Sequence, residues 1–159
     1  MVGLASGLAL GTLGFTHCCI EDLSIMRSLP NITVLSPADC VETAKATVAA
    51  LEHKNPIYIR LTGVSNQPSV YEKDYNFEIG KGIIIKEGTD IAIFATGTMV
   101  YESLQASKIL DEKGVSTKVI NIHTIKPFDN ELVENISKKV KNIFTVEEHS
   151  IVGGLGSSV

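Results

Sequence analysis

GTLGFTHCCIEDLSIMRSLP, residues 11–30, opens as a glycine-bracketed loop and closes as a short helix. Gly11 and Gly14 frame the loop, which delivers the Thr16-His17 pair to the foot of a helix expected over Ile20 to Leu29. Glu21 and Asp22 in its first turn and Arg27 in its last complement the helix dipole. Pro30 stops it, because proline has no N–H to continue the ladder.

Reading outward, Ile32 to Leu35 (ITVL) is a short apolar, β-branched run and hence a buried strand. Ser36-Pro37-Ala38-Asp39 then reads as a helix start, with Ser36 as cap and Pro37 at the first helical position. Val41, Ala44, Val48 and Leu51, spaced by three and four, predict the buried face of that helix. Pro56 opens the next strand, Ile57 to Leu61. Upstream, Met1 to Ile20 carries no Asp, Glu, Lys or Arg, yet glycines at 3, 7, 11 and 14 break it. It has no positive leader region and is too interrupted to cross a bilayer as a helix. It is expected to be a strand remnant followed by buried backbone and loop.

From Thr62 to Phe77 the periodicity fails among Gly, Ser, Asn, Gln and Pro, which marks a linker. Beyond it come strands at Gly82 to Ile85 and Ile91 to Ala95, and a helix from Met99 to Lys113 closed by Gly114. A strand at Thr117 to Ile122, a helix from Asn130 to Lys139 capped by Asp129, and a strand at Asn142 to Val146 follow. Strands alternating with helices of about a dozen residues imply βαβ units. The expected class is α/β: two partial domains, 1–61 and 79–159, with mainly parallel sheets flanked by helices and joined by a linker at 62–78.

Hydrophobic residues make up 44% of the 159 residues and charged residues 20%, while mean hydropathy is +0.19. A chain this apolar needs strands buried on two sides, a covered partner face, or both. Net charge −4, with no Lys/Arg stripe, argues against a nucleic-acid surface. Cys18, Cys19 and Cys40 make no disulfide framework and suit a reducing, cytoplasmic setting. His17-Cys18-Cys19 lacks the spacing of a zinc site, so no metal ligand is assigned.

Two residues stand out as candidate site groups. His17, in a glycine-rich loop, can hydrogen-bond a hydroxyl or carbonyl oxygen in either neutral tautomer. Its plain alternative is a polar surface residue. Arg60, at a strand end, can fork onto a phosphate; its alternative is a charge reaching out to solvent. His53 reads as solvated at a helix end, and His123 and His149 as structural residues at strand tips.

Six blocks in order carry a family likeness. Gly14-Phe15-Thr16-His17 with Ile20-Glu21-Asp22, and Met26-Arg27-Ser28-Leu29-Pro30-Asn31, resemble the transketolase segment between the substrate loop and the next strand. Val34-Leu35-Ser36-Pro37-Ala38-Asp39 with Glu42, and Pro56-Ile57-Tyr58-Ile59-Arg60-Leu61, are similar to the rest of the pyrimidine-binding domain. His123-Thr124-Ile125-Lys126-Pro127-Phe128-Asp129, and Val146-Glu147-Glu148-His149 with Gly153-Gly154-Leu155-Gly156, resemble the carboxy-terminal domain.

The resemblance implies the later part of a pyrimidine-binding domain at 1–61 and an incomplete transketolase C-terminal domain at 79–159, truncated at both ends relative to the family. It implies transfer of a two-carbon ketol unit between sugar phosphates in the pentose phosphate pathway, with His17 as a catalytic and substrate-contacting residue and Arg60 as a substrate-binding one. It also implies thiamine diphosphate and Mg²⁺ in the complete assembly. The proton-relay glutamate, the aromatic clamp and the Gly-Asp-Gly metal motif of the family find no match here. No cofactor-binding residue is therefore assigned, the isolated chain is expected to be inactive, and an N-terminal section or second protomer is the expected partner in an oligomer. Leu13, Phe15, Cys18 and Ala5 depart from the family pattern and leave other donors or acceptors open. Two other readings stay open: a truncated, non-catalytic assembly module, and the equivalent piece of a deoxyxylulose-phosphate synthase or an oxo-acid dehydrogenase β-subunit.

Overall fold

The computed structural model describes residues 1–63 and 66–159; Val64 and Ser65, inside the expected linker, lie outside the described residues. In chain order the elements are β1 (Val2–Gly3), α1 (Asp22–Ser28), β2 (Thr33–Leu35), α2 (Cys40–Glu52) and β3 (Ile57–Arg60). There follow β4 (Ile83–Lys86), β5 (Ile91–Ala95), α3 (Met99–Glu112), β6 (Thr117–Asn121), β7 (Thr124–Lys126), α4 (Asn130–Ser137) and β8 (Asn142–Val146). One sheet runs β1-β3-β2-β7 and the other β4-β6-β5-β8. The pairings β1–β3, β2–β3, β5–β6 and β5–β8 are parallel. Those of β2–β7 and β4–β6 are antiparallel. The described residues are thus mainly parallel α/β with four α-helices, as the alternation of the segments predicts.

β7 is the element that pattern reading passes over. It belongs to the second segment by sequence and to the first sheet by pairing, with Leu35 opposite Thr124. Its three residues are too few to show a period, and its partner is remote in sequence. One apolar cluster accordingly joins Leu23, Met26, Val34 and Tyr58 to Phe94, Ile120, Ile122, Ile125 and Leu155. The two segments share both a sheet and a core.

Two expectations about α2 are corrected. Its cap is Asp39, whose carboxylate accepts from Glu42 N at 2.8 Å, and not Ser36. The Ser36 backbone is engaged elsewhere: its N–H donates to His123 O at 2.8 Å and its carbonyl accepts from Gly97 N at 3.2 Å. The stripe Val41, Ala44, Val48 and Leu51 faces outward, with Leu51 83% exposed. The buried line is Glu42 and Ala46, with half-buried Ala50 one turn on. These small alanines let α2 sit down on Leu35, Ile57 and Ile59, and the larger aliphatics are left pointing away.

The opening run also differs from expectation. Ser6 and Gly7 are buried, but Met1, Leu4, Leu8 and Leu13 are exposed, and Phe15 is 91% exposed. β1, a Gly7–Cys19 bridge and polar bonds at Ser6, Leu8 and Ile20 tie the run down, and none of its side chains joins an apolar cluster of the described residues. The described part of 62–78 holds no helix or strand and is strapped along α2. Val70 N donates to Asp39 at 2.8 Å, and Lys45 pairs with Asp74 at 2.6 Å.

Candidate functional site

Two 3₁₀ turns, Gly11–Leu13 and Phe15–His17, present His17. Gly14 joins them at φ 74°, ψ −167°, a combination essentially restricted to glycine. Nothing lies within 4 Å of where its Cβ would be, so conformation and not crowding demands glycine there. At the base, Gly7 N donates to Cys19 O at 2.7 Å and Cys19 N to Gly7 O at 3.1 Å, closing the loop. His17 is exposed, and its Nδ1 lies 2.9 Å from Thr16 Oγ1.

Below the loop lies a buried polar group. Tyr58 and Arg60, two apart on β3, point to one side of the strand, and both reach Asp22 in the first turn of α1. Arg60 Nε donates to Asp22 Oδ2 at 2.9 Å and Oδ1 at 3.2 Å, and Tyr58 Oη donates to Oδ2 at 2.8 Å. Arg60 Nη2 donates to Glu148 O at 2.8 Å and Cys19 O at 3.4 Å. Burial first, then the bond to Asp22, pushes the Tyr58 phenol well above its ordinary range. Arg60 is buried and does not reach out to solvent; its Nε and Nη2 are engaged inside the chain. Through Cys19, two residues after His17, the structure places both sequence-chosen groups around one loop.

The segment after β8 holds this loop from the other side. Glu148 Oε1 accepts from Leu8 N at 2.7 Å, and Ser150 N donates to Ile20 O at 2.8 Å. Ser24 N donates to His149 Nε2 at 3.4 Å, while His149 Nδ1 lies 2.8 Å from Ser150 O. That pair of contacts fits the neutral tautomer with its proton on Nδ1. Composition and spacing give no sign of these contacts.

In the sequence Glu42 stands out only as part of a family block. It is fully buried and accepts from Ala38 N at 2.6 Å, Tyr71 Oη at 2.8 Å, and Asn121 Nδ2 at 2.9 Å to each oxygen. Burial raises its pKa, against the lowering pull of those donors, the Asn121 amide foremost. A glutamate in line with Ala46 and Ala50 at four-residue spacing is the one local signal for it. His123 is likewise fully buried and stacks on Phe77, with ring centroids 4.3 Å apart; burial brings its pKa down to about 4. His53 is half-buried, its Nε2 2.9 Å from Thr33 Oγ1.

Among the described residues no group of three or more His, Cys, Asp or Glu is placed to hold a metal ion. The turn at Gly153 to Gly156 offers no cradle for a diphosphate, because Leu155 N and Gly156 N donate to the chain's own Glu147 at 2.6 and 2.9 Å. The described residues therefore do not fit a metal–diphosphate group. None of the described helices is long and apolar enough to cross a membrane.

The family described as "Transketolase, pyrimidine binding domain" matches residues 1–65, and "Transketolase, C-terminal domain" matches residues 80–159. The chain is 37% identical over 160 residues to an apulose-4-phosphate transketolase subunit of Phocaeicola vulgatus, covering 100% of this chain and 51% of that protein. It is 40% identical over 162 residues to a putative transketolase C-terminal section of Methanocaldococcus jannaschii, covering 100% and 50%. A solved split-gene transketolase, described as an inactive beta4 tetramer, superposes with a TM-score of 0.89 at 39% identity over 99% of this chain and 50% of that one. The chain spans about half the length of these relatives.

Proposed function

The chain belongs to the transketolase family, and from that premise we propose that it is part of a thiamine-diphosphate-dependent enzyme that moves a two-carbon ketol unit from a ketose to an aldose in the cytoplasm. What carries this reading is that a transketolase subunit, a putative transketolase C-terminal section and a split-gene transketolase each align with 99–100% of this chain. A partner subunit bearing the N-terminal section supplies the residues that hold the cofactor and its metal, for which the described residues here have no fitting group. When bound there, the cofactor supplies the carbanion chemistry.

This chain contributes a wall of the substrate site. His17, exposed on its turn, hydrogen-bonds an oxygen of the sugar. Arg60 supports substrate binding from beneath. Its positive charge lies under the loop, and its Nε and Nη2 are committed to Asp22, Cys19 and Glu148, which leaves Nη1 as the nitrogen with which it would meet a sugar phosphate.

The test is reconstitution. The chain and its cofactor-carrying partner are mixed with thiamine diphosphate and Mg²⁺ and offered xylulose 5-phosphate with ribose 5-phosphate. Ketol transfer is expected from the mixture and none from the chain alone. Turnover of pyruvate with glyceraldehyde 3-phosphate, and none of the ketose, would overturn the reading in favour of a deoxyxylulose-phosphate synthase.

A further inference from the structure

Glu148 is the residue at which three parts of the site meet. Its Oε1 accepts from Leu8 N at 2.7 Å, at the start of the His17 loop. Its Oε2 accepts from Thr98 Oγ1 at 2.9 Å. Its own carbonyl accepts from Arg60 Nη2 at 2.8 Å. The local sequence is bent to this arrangement at two places. Thr98 stands at the cap position of α3, yet its hydroxyl makes no capping bond and is turned to Glu148 instead. Gly7, at φ 73°, lets the carboxylate come in so close that a Cβ there would lie 2.6 Å from Glu148 Oε2. A cap bond forgone and a glycine spent on close approach both concern the same carboxylate.

We propose that Glu148 is a positioning residue for substrate binding: it sets where the His17 loop leaves the sheet and holds Arg60 beneath it, although it touches no substrate. A carboxylate suits the task, since it accepts at two oxygens at once and takes stronger bonds than a neutral group. The anchoring comes from the tip of β8, in the second segment, whereas the loop belongs to the first. The second segment thereby anchors a loop that belongs to the first. The effect on turnover rests on the function proposed above; the effect on the loop does not.

The experiment follows the intact protein and its Glu148→Gln, Glu148→Ala and Thr98→Val variants by two readouts. Amide hydrogen exchange reads the loop without any activity. In Glu148→Ala the Leu8 amide is expected to exchange about tenfold faster, while amides of β5 are unchanged. Gln, which still offers an acceptor oxygen, restores most of the protection, and Thr98→Val gives an intermediate value. In the assembly with the cofactor-carrying subunit, KM for the ketose is expected to rise about tenfold in the alanine variant with kcat within about twofold, and to recover in the glutamine variant. Unchanged Leu8 exchange in Glu148→Ala overturns the proposal whatever the activity. Faster exchange with an unmoved KM also overturns it, since the anchor would then be structural only. Should the alanine variant fail to fold, Thr98→Val decides by the same pair of measurements. A wild-type assembly that turns over no ketose counts against the proposed function, and the exchange data then judge the loop alone.

Discussion

Arg60 and Asp22 form an ion pair in the interior, with Nε 2.9 Å from Oδ2 and side-chain exposures of only 5% and 10%. The pair bolts the end of β3 to the first turn of α1, and the Tyr58 hydroxyl completes the acceptor's shell. Removing one member of a buried pair strands the other charge, at a cost of about 3–5 kcal/mol. Asp22→Ala is therefore expected to lower stability by that amount in urea unfolding. Replacing both residues together, Asp22→Leu with Arg60→Met, should cost much less than the two single changes summed. Additive single effects in that double-mutant cycle would contradict the pairing.

Gly14 and His17 make a second prediction, because they separate conformation from chemistry. Gly14→Ala meets open space but forces alanine to a backbone conformation it avoids, so a loss of about 1–3 kcal/mol is expected in thermal unfolding. His17→Ala, at an exposed position, should change stability by less than about 0.5 kcal/mol. In the reconstituted enzyme, losing the hydrogen bond proposed between His17 and the sugar should lower kcat/KM by about tenfold. Unaltered turnover in His17→Ala would remove that residue from the site.

The legible parts of this fold are those whose signal is local. β5 and β8 are short apolar runs, Gly114 closes α3 at φ 76°, and Asp129 caps α4 by accepting from Leu132 N. The loop that presents His17 is readable for the same reason, since its glycines mark the turns. The illegible parts depend on remote partners. β7 has no period of its own and exists as a strand because β2 lies beside it. Asp22 looks like an ordinary first-turn acid until Arg60 and Tyr58, on another element, are found against it. The outward stripe of α2 shows a further limit. Periodicity reports that a helix has an apolar face, but the sheet took the alanine face, which permits the closest approach.

Glu42 and the pH dependence of stability make a third prediction. Burial raises its pKa above the usual 4.5, so the folded chain holds that proton more tightly than the unfolded chain does. By linkage, stability from this group is full below pH 4.5 and is lost as pH rises through the raised folded value. In Glu42→Gln this part of the slope should vanish. Unfolding temperatures of wild type and variant, measured from about pH 4 upward, should therefore differ progressively with pH. A constant offset between the two curves would show that the carboxyl does not titrate on folding.

His123 acts in the opposite sense over an overlapping range. Burial against Phe77 lowers its pKa from 6.5 to about 4, so the unfolded chain binds the proton first as pH falls. Its contribution is complete above pH 6.5 and is lost as pH drops through about 4, amounting to about 3 kcal/mol by the free energy of a pKa shift. The imidazole lies inside the protein where the segments join: its own carbonyl accepts from Ser36 N, and its Nδ1 lies 2.9 Å from the hydroxyl of Thr124, which begins β7. Its protonation should therefore loosen the junction of the two segments, where β7 joins the first sheet, before the second sheet. His123→Phe keeps an aromatic ring against Phe77 and cannot take the proton. Acid titration followed by near-ultraviolet circular dichroism should show the wild type losing stability between pH 6.5 and about 4 and the variant losing less. Parallel acid curves for the two proteins would place the acid sensitivity in other groups and deny His123 this role.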